Sequence, residues 1–187
     1  MTFNPALPNM YRFPVVSSGE ETMPRIGSMI STFGTATGVL RFSYFRSRKT
    51  EAITQMKVVT GGTAAAATPT LVRFGVYTVD LPTGDLTLAA AIANDTTLCA
   101  STNTSYTRTL TSTFNKKADT VYAAAFLIVT AATAPTMYAT VWSLNATERA
   151  VDQRPSAIVN SQTDLPSSVS NASLADASTG LYFHLLP

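Results

Sequence analysis

One stretch constrains the fold more than any other: Thr70 to Asn94 reads as two short alternating segments joined by a tight turn. In the first arm Val72, Phe74 and Val76 fall on one face, with Arg73, Gly75 and Tyr77 on the other. In the second, Leu86, Leu88, Ala90 and Ile92 share a face opposite smaller residues. Alternation with a period of two marks half-buried strands. Between the arms, Leu81-Pro82-Thr83-Gly84-Asp85 puts proline where φ must be near −65° and glycine where a left-handed residue is wanted. This predicts a three-residue hairpin loop with a glycine bulge, opposing Leu81 to Asp85. Thr78 then meets Leu88, Val76 meets Ala90 and Phe74 meets Ile92, with both apolar rows on one face. A four-residue loop would set Arg73 against Ile92 instead.

A chain of 187 residues suits one sizeable core, burying about 70% of its unfolded surface, and is short for two domains. Charged residues make up only 13%, against a usual figure of about 25%. The net charge of +2 is too small to predict a nucleic-acid partner or a membrane surface. With 45% hydrophobic residues, low charge predicts much surface that is neutral or covered by other subunits. Met1 to Thr22 lacks the basic start and apolar centre of a signal peptide. No apolar run reaches the roughly 18 residues that span a bilayer. A single cysteine, Cys99, excludes an internal disulfide framework.

Residues 1–22 carry Pro5, Pro8 and Pro14 without a sustained period. They are expected to form an extended N-terminal arm laid along a partner, with a frayed terminus as the alternative. Residues 23–187 are expected to form a single domain. Met23 to Phe33 is compatible with a short strand, and Leu40 to Phe45 is a clearer one with Leu40, Phe42 and Tyr44 on a common face. Glu51 to Thr60 sets Ala52, Met56 and Val58 against Gln55 and Lys57. The alanines of Ala64 to Ala67, bounded by Gly61-Gly62 and Thr68-Pro69, leave too few turns for a helix. Tyr106 to Leu110 reads as a strand and Asn115 to Asp119 as a polar turn. Thr120 to Thr130 is apolar on both faces and must be a central strand with both sides covered. Met137 to Trp142 alternates again. Ser143 to Thr179 is polar and irregular, apart from a short helix expected near Ala172 to Ala177, and Leu181 to Leu185 closes the chain as a strand. So long an irregular segment calls for a role, and burial under a neighbouring subunit would supply one.

Eight or nine strands with almost no helix predict an all-β chain, an antiparallel β-sandwich of jelly-roll-like form. The residues also carry a resemblance. Thr63-Ala64-Ala65-Ala66-Ala67-Thr68-Pro69-Thr70-Leu71, Arg73-Phe74-Gly75-Val76-Tyr77, Asn94-Asp95-Thr96-Thr97-Leu98, Ser161-Gln162-Thr163-Asp164-Leu165-Pro166 and the terminal Leu185-Leu186-Pro187 follow one another in order. Together they resemble the β-rich domain of virion proteins of actinobacterial tailed phages, usually labelled minor tail proteins. The resemblance covers residues 20 to 187 and implies a structural protein of the virion with no catalytic residues. Many relatives are longer chains with this domain as one part, so a domain standing nearly alone also fits a capsid decoration protein.

Catalytic arrangements find little material. His184 is the only histidine and sits between Phe183 and Leu185 in the last strand, without the turn that presents a nucleophile or base. One His and one Cys cannot supply a zinc site. Most acids fall in turns (Asp80, Asp85, Asp95, Asp119), where Asp belongs for backbone reasons. Cys99, between Leu98 and Ala100, reads as a small buried apolar residue. Gly61-Gly62 lacks the Lys and Ser/Thr of a phosphate loop. The four glycosylation sequons at Asn94, Asn103, Asn145 and Asn171 are of the number that chance gives in a chain this rich in Thr and Ser.

Binding chemistry is the stronger candidate. Arg46, Arg48 and Lys49 form a basic cluster beside a turn, able to meet an acidic surface or nucleic acid, or simply to be solvated. Tyr138 and Trp142 fall on one face of a strand, where paired rings either pack in a core or hold a sugar. The expectation is a non-enzymatic virion protein without metal or cofactor. It would work as a homotrimer in contact with other virion proteins, assembled through its arm and its long C-terminal segment. The alternative is a carbohydrate-binding module that attaches the particle to a glycan of the host envelope.

Overall fold

The computed structural model describes residues 19–23, 30–141 and 154–187. In chain order the strands are β1 (Glu20–Glu21), β2 (Ile30–Gly34), β3 (Leu40–Arg46), β4 (Glu51–Val59), β5 (Leu71–Val79), β6 (Leu86–Ala91) and β7 (Ser105–Lys116). They continue with β8 (Val121–Val129), β9 (Thr136–Val141), β10 (Ser156–Val159), β11 (Ser168–Val169), β12 (Ala175–Asp176), β13 (Thr179–Leu181) and β14 (Phe183–Leu186). One 3₁₀ turn, Asn171–Ser173, is the only helical element among the described residues.

The Thr70–Asn94 hairpin is the tip around which the chain is rolled. β5 pairs with β6, β4 with β7, β3 with β8 and β2 with β9, each antiparallel, so β2 to β9 form one long hairpin. Rolling it up adds a β5–β8 ladder and a bridge from Thr60 to Met137 that joins β4 to β9. The result is a jelly roll, with β6-β5-β8-β3 in one layer facing β7-β4-β9-β2 in the other. Shorter strands extend it. β11 pairs beyond β6, and β10 and β12 beyond β3, which makes the first layer seven strands wide. β14 lies against β4 and carries β1 at its outer edge, while β13 lies against β9. The all-β antiparallel sandwich expected from the sequence is therefore the fold.

The hairpin turn differs in detail from its expected form. Asp80 N–H donates to Asp85 O at 2.9 Å, so four residues lie in the loop. Thr83 Oγ donates to Asp80 Oδ2 at 2.8 Å and steadies it. Gly84 has the left-handed φ of +79° that the sequence required. Val79 opposes Leu86 and Tyr77 opposes Leu88, yet Val76 still opposes Ala90, because Ala89 is an extra residue in a bulge. The bulge corrects the register and also reverses the faces. Leu86 and Leu88 pack on one side of the sheet, Ala90 and Ile92 on the other. The single apolar face expected for β6 is thus two half-faces.

Those two sides are two cores. Between the layers lie Val72, Phe74 and Val76 of β5, Phe126 and Ile128 of β8, Met56 and Val58 of β4, and Phe183 and Leu185 of β14. On the outer face of the seven-stranded layer lie Leu40 and Phe42 of β3, Tyr77, Leu86, and Ala123, Ala125 and Leu127 of β8. β8 is buried along its length except Val129, as a doubly apolar strand must be. Its alanines make room for an edge-on contact of Phe42 with Tyr77, whose ring centroids are 5.1 Å apart.

The outer core is roofed by the chain itself. Leu165, Val169 and Leu174 pack onto it. Tyr77 Oη donates to Pro166 O at 2.9 Å, Leu88 N–H to Ser167 O at 2.9 Å and Arg73 Nη1 to Asp164 Oδ1 at 2.6 Å. The part of Ser143–Thr179 that is described, from Arg154 onward, thus holds three short strands and the 3₁₀ turn, and it covers its own sheet. No helix forms at Ala172–Ala177, where β12 follows the 3₁₀ turn. The described part of the segment therefore does not need a neighbouring subunit to give it a place to pack. The arm also ends earlier than expected. Glu20 and Glu21 pair with Leu185 and His184, and Met23 is buried, so residues 19–23 belong to the fold. Residues 1–18 lie outside the described part. β7 reaches Lys116, and the polar turn begins after it.

Candidate functional site

The basic cluster sits where the β3–β4 turn meets the β7–β8 turn. The turns are stitched together: Ser47 N–H donates to Thr120 O at 2.9 Å and Asp119 N–H to Ser47 O at 2.7 Å. Arg46 Nη1 donates to Asp119 O at 2.9 Å. Beneath them lies a group the sequence did not reveal. On β7 the inward row continues from Phe114 to Lys116, and the β4–β7 register sets Lys116 opposite Glu51. Lys116 is fully buried at 0% exposure. Its Nζ lies 2.8 Å from Glu20 Oε2 and 3.7 Å from Glu51 Oε2. It also donates to Lys49 O at 2.8 Å and Ser47 Oγ at 3.1 Å. Glu20 in turn accepts from Arg48 N–H at 2.8 Å and Ser47 Oγ at 3.0 Å.

Burying an ammonium and a carboxylate is tolerable only when each keeps its hydrogen bonds, and here both do. Two of the expected surface cations are drawn into the same network. Arg48 Nε lies 3.5 Å from Glu20 Oε1, and Lys49 Nζ lies 2.7 Å from Glu51 Oε1. Arg48, Lys49 and Lys116 thus face Glu20 and Glu51. The structure brings Arg46, Arg48 and Lys49 together, as the sequence implied, but as the lid of a clamp that holds β1 and not as a free basic patch. The surface signal for Lys116 was misleading, since Asn115-Lys116-Lys117 reads as solvated turn. Only its spacing of two from Phe114 pointed inward.

Tyr138, on β9, is half-buried, and its backbone oxygen accepts from Tyr182 N–H at 2.9 Å. Trp142 lies outside the described residues, so the expected Tyr138–Trp142 platform does too. Beside them Val141 is 63% exposed, an unusual place for a large apolar side chain. At the end of the sandwich remote from the clamp, a groove of about 380 Å³ opens between the Ala65–Pro69 loop and the Thr96–Ala100 turn. Its walls are methyl groups and the side chains of Thr68, Thr96 and Thr97, with no charged group. Arg108 and Asp95 pair beside that turn at 2.6 Å. Burial alone would raise the Asp95 carboxyl, but hydrogen bonds from Thr97 and Arg108 outweigh it and hold the group below the usual carboxylate range.

Cys99 is buried, with its Sγ 4.0 Å from Met137 Sδ. Burial, reinforced by the Asp95 charge, pushes its thiol up to about 12, which keeps it from acting as a nucleophile at neutral pH. His184 is buried in β14, as its apolar neighbours implied. Among the described residues no three His, Cys, Asp or Glu side chains gather as metal ligands would. No protein-family model matches the chain, and no curated protein matches it.

Proposed function

We propose that the chain is a structural protein of a tailed-phage virion, a minor tail or capsid-surface component. It acts by assembly and display, not by catalysis. The observation that carries this reading is the clamp: a fully buried lysine, two carboxylates and two stitched turns hold residues 19–23 on the edge of β14. Residues 1–18, which precede that anchored point in sequence, are apolar and rich in proline, a composition suited to contact with a neighbour. The ordered set of motifs from Thr63 to Pro187, similar to those of phage virion proteins, supports the same reading, as does a surface low in charge. Closed oligomers of identical subunits are the usual way to use such arms, and a homotrimer is the state expected.

Antibodies raised against the purified protein, applied to intact particles from cells expressing the chain with its phage, test this by immunogold microscopy. Label at a fixed place on head or tail is expected. Particles that contain no detectable copy by mass spectrometry would overturn the reading. Deleting residues 1–18 should leave the sandwich folded but lower its copy number per particle. Sedimentation of the full chain reads the oligomeric state.

A further inference from the structure

We infer that the clamp is a site of self-made covalent cross-linking, in which Lys116 Nζ and the Glu20 side-chain carboxyl condense to an amide that ties β1 to β7. This is independent of the virion reading, since it concerns chemistry within one chain. Four features converge on it. The amine and the carboxyl group are already paired, with Nζ 2.8 Å from Glu20 Oε2, the oxygen that would leave. Both are out of water, at 0% and 3% side-chain exposure, so the product is shielded from hydrolysis. The oxygen that would carry negative charge, Glu20 Oε1, faces Arg48 N–H at 2.8 Å and Arg48 Nε at 3.5 Å. These donors suit a tetrahedral oxyanion. A hydroxyl that can relay protons and a second carboxylate also flank the pair. Ser47 Oγ accepts from Nζ at 3.1 Å and donates to Glu20 Oε2 at 3.0 Å, and Glu51 Oε2 lies 3.7 Å from Nζ.

The step balances without an outside reagent. An ammonium and a carboxylate become an amide and one water. Lys116 Nζ loses a proton to Glu51, once the 3.7 Å between them has closed to hydrogen-bond distance, and its lone pair forms the Nζ–Cδ bond. The Cδ–Oε2 bond breaks, and Oε2 leaves as water after receiving the two protons given up by nitrogen, through Ser47 Oγ and from Glu51. Condensation of free amines and acids is unfavourable in water. Held groups behave as if at effective concentrations of ~10⁵–10⁸ M, which turns the balance. Replacing a buried ion pair by a neutral amide also removes the desolvation cost that the pair carries.

The intact mass of the purified full-length protein tests this without any variant. A species one water lighter than the sequence is expected to accumulate, with tryptic fragments containing Glu20 and Lys116 joined and a faster band in denaturing gels. Folded protein that keeps its full sequence mass after prolonged incubation at neutral and mildly acidic pH would overturn the inference. So would a water loss that maps to any other pair. General acid–base groups contribute ~10²–10⁴-fold. Glu51→Gln should therefore slow the appearance of the lighter species at least ~100-fold while the circular dichroism stays that of a sandwich. An unchanged rate would remove Glu51 from the step.

Discussion

The two faces of the seven-stranded layer are built on different principles. The inner face meets a second sheet. There strand opposes strand, and Phe74, Phe126, Met56 and Phe183 interdigitate from elements that each alternate. The outer face meets irregular chain. Leu165, Val169 and Leu174 reach it from a stretch of two-residue strands, a 3₁₀ turn and loop. Side-chain burial is comparable on both faces, since Leu40, Phe42 and Tyr77 are as inaccessible as Phe74 and Val76. Backbone support is not comparable. The inner face is held by long continuous ladders, the outer cover by short ones, such as the two-residue pairing of β11 with β6, and by single bonds such as Leu88 N–H to Ser167 O and Gln162 N–H to Gly38 O. The difference separates burial from cooperativity: the outer cover should open as a unit of its own while the jelly roll stays closed.

The largest expected effect is on the inner face. Phe74→Asp puts an unpaired carboxylate at a position with 0% exposure. It should cost ~5 kcal/mol or more, enough to unfold a domain of ordinary stability. A variant that is soluble with an unchanged melting temperature would show the inner core to be misplaced.

Next comes the clamp, which closes one end of the inner layer. Relative to the chain before any cross-link forms, Lys116→Met leaves Glu20 buried without its counter-ion and should cost about 3–5 kcal/mol. The double change Glu20→Gln with Lys116→Met should recover most of that loss, because a neutral pair has no charge to strand. Equal destabilisation of the single and double variants in urea titrations would mean that packing, not charge, dominates there.

The outer cover is tested by Leu165→Ala. A buried leucine on the less supported face should cost ~2 kcal/mol, at the low end for such truncations because the segment can settle. Hydrogen exchange should show the amides of Leu88 and Gln162 speeding up, while those of Phe126 and Ile128 change little. Equal acceleration of both sets would merge the two faces into one cooperative unit.

How much of this was legible in the sequence follows the same division. Elements whose residues alternate, such as β3, β5 and β9, could be read, and β8, apolar on both faces, implied a central strand with two covers. What covers the second face could not be read. Ser156 to Asp176 has no period, and its fit depends on where Tyr77 and Arg73 point after folding. The turn at Gly84 was half legible. Proline and glycine fixed its conformation, but a three-residue loop and a four-residue loop with a bulge at Ala89 place Val76 opposite Ala90 alike. Pattern alone cannot choose between them. Lys116 was hidden by composition, because a lysine between Asn115 and Lys117 signals solvent unless Glu20, far away in sequence, is known to meet it. Of the candidate residues, the cluster at Arg46, Arg48 and Lys49 was visible as charge and its carboxylate partners were not.

A smaller effect is expected where the hairpin touches the outer cover. A Cβ on Gly84 would lie 2.8 Å from Asn171 Cγ, and φ is positive. Asn171 N–H donates to Asp85 Oδ1 at 2.8 Å in the same place. Gly84→Val should therefore cost more than ~1 kcal/mol and loosen the 3₁₀ turn. Thr83→Val, which loses the bond to Asp80, should cost less. Thermal melts rank the two, and a larger loss from Thr83 would make the side-chain bond, not the left-handed residue, the key to the turn.

The smallest expected effect is electrostatic and belongs to the inner layer's far end. Asp95 accepts from Thr97 N–H at 2.9 Å, Thr97 Oγ at 2.6 Å and Arg108 Nε at 2.6 Å. Its folded pKa is lowered despite burial, which acts the other way. A carboxyl whose folded pKa lies below its unfolded value of about 3.9 contributes stability above that value, and loses it as pH falls through the folded pKa. The group is partly exposed, so solvent screening keeps the contribution below ~1 kcal/mol. Asp95→Asn should lower the melting temperature slightly at pH 7 and flatten the fall in stability between about pH 4 and 2. The outer cover has its own ion pair, Arg73 with Asp164, whose carboxylate is 56% exposed. Asp164→Asn should lower the melting temperature at pH 7 by less than Asp95→Asn does, since so exposed a pair is worth little. If the two losses at pH 7 were equal, the electrostatic contrast between the two regions would not hold.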